Sequence, residues 1–140
     1  YDFLIKKPSM TRMSYFGYDI SKEMIKVARR KCNDSRATFI KSSKVKASAD
    51  YTFVSGTFNL NLKMNSIPWG NYVKSTLSQL WSMSNKGLAF NMLDEDHPNK
   101  ESGLYYASAE EYLDFCKMLS PKVILIDSYQ LDEWTIFINR

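Results

Sequence analysis

The stretch that decides the fold runs from Tyr15 to Arg29 and reads Y-F-G-Y-D-I-S-K-E-M-I-K-V-A-R. Residues 14–20 form a short segment rich in aromatic side chains, which is typical of a buried strand. Ser21 follows as an N-cap residue, and Glu23 lies in the first helical turn, where a negative charge complements the helix dipole. Apolar residues then recur at helical spacing and predict an amphipathic helix over residues 22–33, with Met24, Ile25, Ala28 and Cys32 on one face.

Further strands and helices alternate along the rest of the chain. Patterning predicts strands over residues 37–41, 51–55, 88–93, 123–127 and 134–138. It predicts that residues 1–7 are the end of a helix, that a second helix runs from Val73 and ends before Gly87, and that a third begins at the capping box at Ser108. Residues 57–70 are predicted to be irregular. Such alternation predicts an α/β, three-layer sandwich, with a mostly parallel sheet, helices on both faces and an antiparallel last strand.

Length and composition favour one globular domain over residues 1–140. The chain is 44% apolar and 24% charged with five Gly and four Pro, which excludes collagen-like and disordered classes. No apolar run approaches the roughly 20 residues of a membrane span, and no leader pattern is present. Cys32 and Cys116 are two lone thiols, so we expect free cysteines in a reducing cytoplasm and neither a disulfide framework nor a zinc site.

The net charge of +4 is unevenly distributed. Between Lys22 and Lys46 lie nine basic and two acidic residues, whereas ten of the fifteen acids fall between Asp94 and Glu133. A basic run can attract phosphates, but a solvated helix face beside a lysine-protected edge strand accounts for it equally simply. Because no aromatic residue interrupts the dense part of the run to stack on bases, we favour the second explanation and predict no nucleic-acid partner.

Candidate ligand-binding residues follow the strands, because parallel sheets bind ligands beyond their carboxyl ends. They are Asp19, Ile20, Ser42, Ser43, residues 55–59 and residues 91–97. Asp19 is the most informative, since an acid between a strand and a capped helix can accept both hydroxyl protons of a ribose. An acid favoured at a helix start by the dipole alone explains the same position.

The motif around Asp19 resembles the second-strand motif of class I S-adenosylmethionine-dependent methyltransferases, G-x-D-x-S-x-x-M-(I/L)-x-x-A. The segment A-D-Y-T-F-V-S-G-T-F-N resembles that family's fourth strand and the following turn, and V-I-L-I-D with W-T-I-F-I resembles its closing reversed hairpin. The resemblance covers essentially the whole chain. It implies a Rossmann-like fold and methyl transfer from S-adenosylmethionine to an acceptor, with a small molecule as the expectation.

The resemblance also implies a cofactor-binding role for five positions. Asp19 would hold the ribose hydroxyls, and Ile20 and Met24 would pack on the adenine. Ser42 and Ser43 occupy the turn where many relatives place an acid against the adenine amino group, so only a weaker hydroxyl or backbone contact is available there.

A second group of residues would serve the methionine part and the acceptor. Ser55 and Gly56 would line the wall near the methionine part, and Phe58 and Asn59 would face the transferring methyl group or the acceptor. Trp69, with Phe58 and Tyr72, is predicted to form an aromatic lid, although core packing explains such residues too.

His97, in the acidic loop D-E-D-H-P, is the candidate general base, although a surface-loop histidine accounts for it as well. Methyl transfer from a sulfonium needs mainly in-line positioning, so a base is optional. The neighbouring acids, Asp94, Glu95 and Asp96, resemble a cation-binding cluster, but adjacent loop acids are usually solvated and we predict no metal.

The chain departs from the family before Tyr1, where a first strand and a glycine-rich loop would stand. No two of the five glycines form G-x-G, so we expect an N-terminally truncated domain that binds cofactor weakly by itself. The second and fourth family strands would then have unpaired edges, through which self-association is possible. Two alternatives stay open: a non-catalytic, pseudo-enzyme binding domain and an NAD-dependent oxidoreductase, the latter disfavoured by the antiparallel last strand.

Overall fold

A computed structural model describes residue 1, residues 3–128 and residues 131–140. The chain divides into two compact units, Tyr1–Lys46 and Ala47–Arg140. A single domain over residues 1–140 stays a prediction. None of the helices in the described part of the chain is long and apolar enough to cross a membrane.

The first unit is a β-α-β arrangement. Two short 3-10 turns, Leu4–Lys6 and Pro8–Met10, precede strand β1 (Tyr15–Asp19), helix α1 (Lys22–Lys31) and strand β2 (Ala37–Lys41). β1 and β2 are parallel, with Tyr15 opposite Ala37 and Asp19 opposite Lys41. The helix end expected at residues 1–7 is replaced by the short turns, because Pro8 favours the extended backbone seen at Lys7.

Local signals explain how β1 leads into α1. The Ser21 hydroxyl accepts a hydrogen bond from the Met24 backbone N–H at 3.2 Å, which confirms the predicted N-cap. Gly17 is required by packing, since a Cβ there would lie 2.8 Å from the Phe39 ring. α1 ends at Lys31, two residues earlier than expected, because the backbone of Cys32 is extended.

The second unit is a mixed five-stranded sheet with two helices. Its elements are β3 (Ala49–Val54), α2 (Ser66–Ser82), β4 (Ser84–Asp94), β5 (Tyr106–Ala107), α3 (Ala109–Leu119), β6 (Lys122–Ile126) and β7 (Glu133–Asn139). The strand order is β3-β4-β7-β6, and β5 pairs with β4. β3 is parallel to β4, whereas β7 is antiparallel to both β4 and β6. The predicted α/β class with an antiparallel last strand is confirmed.

Both ends of α2 differ from the prediction. α2 begins at Ser66, inside the segment predicted to be irregular, and Pro68 is tolerated there because the first helical turn does not use its backbone N–H groups. Gly87 does not end a helix but lies within β4, where a Cβ would be 3.2 Å from both the Tyr51 ring and the Ile138 carbonyl oxygen. The close approach of three strands therefore explains this glycine.

An aromatic cluster on one face of the second sheet packs against α3. The rings of Phe90, Tyr112 and Trp134 lie 5.6–6.2 Å apart, and the Trp134 indole donates a hydrogen bond to the Ala107 carbonyl at 2.9 Å. Such aromatic pairs add about 0.5–1.5 kcal/mol each beyond area burial. On the opposite face, Tyr51, Phe53 and Ile124 have exposed side chains.

Candidate functional site

The carboxylate of Asp19 stands at the carboxyl end of β1 with one oxygen held and one available. Its Oδ1 accepts a hydrogen bond from the Ser21 backbone N–H at 2.7 Å, and its backbone carbonyl accepts one from the Ser42 N–H at 3.0 Å. Within the described residues, Oδ2 has no hydrogen-bond partner. The strand-to-helix junction thus orients the carboxylate and leaves it able to accept hydroxyl protons.

Apolar surface lies beside this carboxylate. Ile20, in the connection between β1 and α1, is 61% exposed, and Met24 on α1 is 56% exposed. A groove of about 170 Å³ runs between β1 and α1, and Gly17, Asp19 and Met24 are among its lining residues. A free carboxylate oxygen next to unpartnered apolar side chains matches a ligand with vicinal hydroxyls and a flat apolar ring.

The two serines after β2 offer little to such a ligand. The Ser42 hydroxyl donates to the Lys44 carbonyl at 2.7 Å and accepts from the Lys44 N–H at 3.1 Å. Its proton and one lone pair are therefore used by its own turn. Ser43 is exposed and has no hydrogen bond within the described residues, so its hydroxyl is free but not oriented.

In the second unit, a side-chain network holds the turn at Ser55 and Gly56. Gly56 has φ of +64°, a left-handed backbone that glycine adopts without steric cost. Its N–H donates to Asn91 Oδ1 at 2.9 Å, and Asn91 Nδ2 donates to Glu133 Oε2 at 2.6 Å. Sequence reasoning included Asn91 in a broad candidate range but missed Glu133; the only signal was a polar residue within the apolar run L-A-F-N-M-L.

The aromatic residues after β3 belong to the core, which corrects the expectation of a lid. Phe58 is 3% exposed and Trp69 5% exposed, and the Trp69 indole N–H donates to the Phe58 carbonyl at 2.9 Å. Tyr72 is the exposed member of the predicted trio and stacks on Trp69 at 5.1 Å between centroids. Phe58 and Trp69 therefore hold the segment between β3 and α2 to the core and do not form a lid.

Asn59 differs from its neighbours because its side chain is polar and buried at its tip. Its backbone carbonyl accepts a hydrogen bond from the Tyr105 N–H at 2.8 Å. Its Oδ1 is buried and has no partner within the described part of the chain. A buried acceptor without a donor is uncommon in folded proteins, and an ordered water or a bound molecule is what usually supplies the missing donor.

The structure places His97 in a bonded position that does not suit a general base. Its Nδ1 accepts a hydrogen bond from the Asn99 backbone N–H at 2.9 Å, and its Nε2 lies 3.2 Å from Asp132 Oδ2. A neutral ring in this arrangement donates from Nε2 and accepts at Nδ1, so no lone pair remains for a substrate proton. His97 therefore ties its loop to the segment before β7.

The two cysteines are free and lie in different environments. Burial raises the pKa of the Cys116 thiol to about 12, whereas Cys32 is only half-buried. In the ranges 1, 3–128 and 131–140, no three His, Cys, Asp or Glu side chains come together as metal ligands.

Comparison with known proteins identifies one curated relative and several solved structures. The chain is 33% identical over 133 residues to "Putative methyltransferase Rv1506c" of Mycobacterium tuberculosis (strain ATCC 25618 / H37Rv), covering 92% of this chain and 80% of that protein. It matches the magnesium protoporphyrin IX methyltransferase (ChlM) of Synechocystis PCC 6803, solved with bound SAH, at 12% identity and a TM-score of 0.66. That match covers 89% of this chain but only 63% of ChlM. No protein-family model matches.

A further structural match corrects the prediction about nucleic acid. The chain superposes on a chain of the Pnkp1/Rnl/Hen1 RNA repair complex with a TM-score of 0.67 at 11% identity, over 100% of this chain and 35% of the other. Because this fold occurs in an RNA repair assembly, the exclusion of nucleic acid as a partner is wrong. The absence of stacking aromatics in the basic run was too weak a reason for it, since phosphate contacts need none.

Proposed function

The chain belongs to the class I S-adenosylmethionine-dependent methyltransferases, and from that premise we propose that it transfers a methyl group from S-adenosylmethionine with Asp19 binding the cofactor ribose. The observation that carries this proposal is the Asp19 carboxylate, held through Oδ1 by the Ser21 N–H and free at Oδ2. Charge-assisted hydrogen bonds from two hydroxyl groups are what such a carboxylate can accept.

The residues around Asp19 fit the rest of the nucleoside. Ile20 and Met24 present exposed apolar surface on which a purine can pack, and the groove beside them supplies the room. When bound, the cofactor supplies a methyl group that is already activated on a sulfonium. The protein's own residues therefore need to bind and orient, and the bonded state of His97 is consistent with chemistry that requires no general base.

For the acceptor, we propose a molecule with a hydroxyl or amine donor near the reacting atom. The support is Asn59 Oδ1, a buried acceptor without a partner in the described residues. Small molecules and nucleic acids both carry such donors. Residues 1–46 contain twelve basic and four acidic residues, so the first unit by itself can attract anionic molecules.

Calorimetry with S-adenosylhomocysteine tests the ribose contact. We expect Asp19→Ala to weaken binding about 10- to 100-fold, because hydrogen bonds to a charged group contribute about 1.5–3 kcal/mol. Asp114→Ala is the matched control, since Asp114 is an exposed acid on α3 that forms an ion pair with Lys117, and it should leave the affinity unchanged. Equal affinity of wild type and Asp19→Ala would overturn the assignment.

Transfer of a labelled methyl group to a panel of small hydroxyl and amine compounds and to RNA then separates the acceptor classes. Binding of S-adenosylhomocysteine without transfer to any member would favour the non-catalytic alternative. Transfer that is lost in Asp19→Ala but kept in Asp114→Ala would support the enzyme.

A further inference from the structure

Asn91 lies on β4, next to the turn that follows β3 in the second unit. It pairs across the sheet with Thr135 of β7, and Glu133 lies two residues further along the same strand. Because side chains alternate between faces along a strand, Asn91 and Glu133 share a face, opposite to the buried Phe90 and Met92. This pairing brings together residues that are 42 positions apart in the sequence.

The two ends of the Asn91 amide have different partners, and this fixes its orientation. Nδ2 donates to Glu133 Oε2 at 2.6 Å, and Oδ1 accepts from the Gly56 N–H at 2.9 Å. An ionised carboxylate only accepts and a backbone N–H only donates, so a flipped amide would lose both hydrogen bonds. Glu133 therefore determines that the oxygen of Asn91 points to Gly56.

The turn that receives this contact has little else to hold it. Ser55, Gly56 and Thr57 are exposed, and a Cβ built on Gly56 would meet no atom within 4 Å. The other local hydrogen bond, from the Thr57 hydroxyl to the Ser55 carbonyl, is long at 3.4 Å. A glycine with such freedom would sample other backbone conformations, so one hydrogen bond from its N–H selects among them.

We propose that Asn91, oriented by Glu133, is a positioning residue that holds the turn at Ser55 and Gly56 in the conformation that receives the methionine part of the cofactor. This rests on the proposed function, which supplies S-adenosylmethionine as the ligand, and on the resemblance of residues 49–59 to the family's fourth strand and turn, which implies that this turn meets the methionine part. Asn91 acts through Gly56 and touches no reacting atom.

Two single variants and their double variant, which exchanges the amide and the carboxylate between the two positions, test the coupling. In Asn91→Asp, two carboxylates face each other across 2.6 Å, which is unfavourable when both are ionised. In Glu133→Gln, the amide of Asn91 loses the acceptor that fixes its orientation. In the double variant, the new carboxylate accepts from both the Gly56 N–H and the new amide, so the original connectivity returns with donor and acceptor exchanged.

We expect each single variant to weaken S-adenosylhomocysteine binding about 3- to 10-fold and the double variant to restore it to within about twofold. Asn71→Asp, at an exposed position on α2, controls for the added negative charge and should not change the affinity. Hydrogen exchange of the Gly56 amide in the free protein gives a second readout. It should be protected in wild type and the double variant, and faster in Asn91→Ala.

The outcomes separate this inference from the proposed function. Binding that depends on Asp19 but not on Asn91, a double variant no better than the singles, or unchanged exchange at Gly56 in Asn91→Ala would each overturn the positioning role alone. Absence of S-adenosylhomocysteine binding by the wild-type protein would overturn both. Restored affinity together with restored protection of the Gly56 amide would support the proposal, since a merely destabilising pair of substitutions would not compensate.

Discussion

The indole N–H of Trp69 donates a hydrogen bond to the carbonyl oxygen of Phe58 across 2.9 Å, and both side chains are buried. This bond fastens the segment after β3 to the first turn of α2. It gives the residues that follow the Gly56 turn a fixed point in the core.

Trp69→Phe should destabilise the protein by about 1–3 kcal/mol, because the buried Phe58 carbonyl loses its donor. Chemical unfolding with the fluorescence of the remaining tryptophans measures the change. Tyr72→Phe, which removes only an exposed hydroxyl from the same helix, should be nearly neutral. A Trp69→Phe variant as stable as Tyr72→Phe would mean that the carbonyl finds another donor.

Ser21→Ala should lower stability without lowering cofactor affinity. The hydroxyl of Ser21 caps α1 by accepting from the Met24 N–H, and its loss costs about 0.5–2 kcal/mol. Asp19 is oriented by the backbone N–H of Ser21, which the substitution keeps. Thermal unfolding and calorimetry on the same sample separate the two effects. A large loss of affinity in Ser21→Ala would show that the hydroxyl itself meets the ligand.

His97→Gln should leave kcat within about twofold of wild type. Both ring nitrogens are bonded within the protein, and a positioned general base contributes about 10²- to 10⁴-fold when it acts. Single-turnover transfer to whichever acceptor is found gives the measurement. A decrease of 100-fold with cofactor affinity retained would return His97 to the role of base.

Cys116 should resist thiol reagents in the native protein at pH 8, whereas the half-buried Cys32 should react. Burial raises the pKa of Cys116 from 9.0 to about 12, so the reactive thiolate is scarce. Titration with a chromogenic disulfide should count one fast thiol, and a second only after unfolding. Fast reaction at Cys116 in a Cys32→Ala background would contradict its burial.

The same raised pKa predicts a direction for stability at alkaline pH. Between about pH 9 and 12, the native state keeps the Cys116 proton while the unfolded state loses it. The unfolding free energy should therefore fall as pH rises through this range, and its contribution is fully present below pH 9. Cys116→Ala provides the comparison, since the buried Tyr112, whose pKa is also raised, titrates in both proteins. An identical alkaline slope in the two proteins would refute the contribution.

Local chemistry explains which parts of the fold could be predicted from the sequence. The β1–α1 junction carries its own signals, a strand of aromatic residues and a capping serine, and the structure confirms it. The start of α2 was missed because it holds Pro68 and Gly70, which weaken the helical pattern. Gly70 is explained only by tertiary packing, since a Cβ there would lie 2.9 Å from the Tyr105 hydroxyl.

The candidate site divides in the same way. The placement of the Asp19 carboxylate at the strand–helix junction could be predicted because its partner, Ser21, is two residues away, and its role in binding stays a prediction. The coupling of Asn91 with Glu133 could not, since it depends on strand pairing between distant segments, and a polar residue in an apolar strand does not identify its partner. The burial of Phe58 and the bonded state of His97 also depend on contacts that spacing does not encode.

Gly17 stands first in the motif G-x-D, yet the atoms that crowd it are the rings of Phe39 and Tyr15. Packing therefore restricts Gly17 to glycine, whereas the role proposed for Asp19 depends on a ligand. In a lineage that gave up methyl transfer, Asp19 would be free to drift while Gly17 would persist. If the proposed role of Asp19 is correct, relatives that keep Gly17 but not Asp19 should lack methyl transfer.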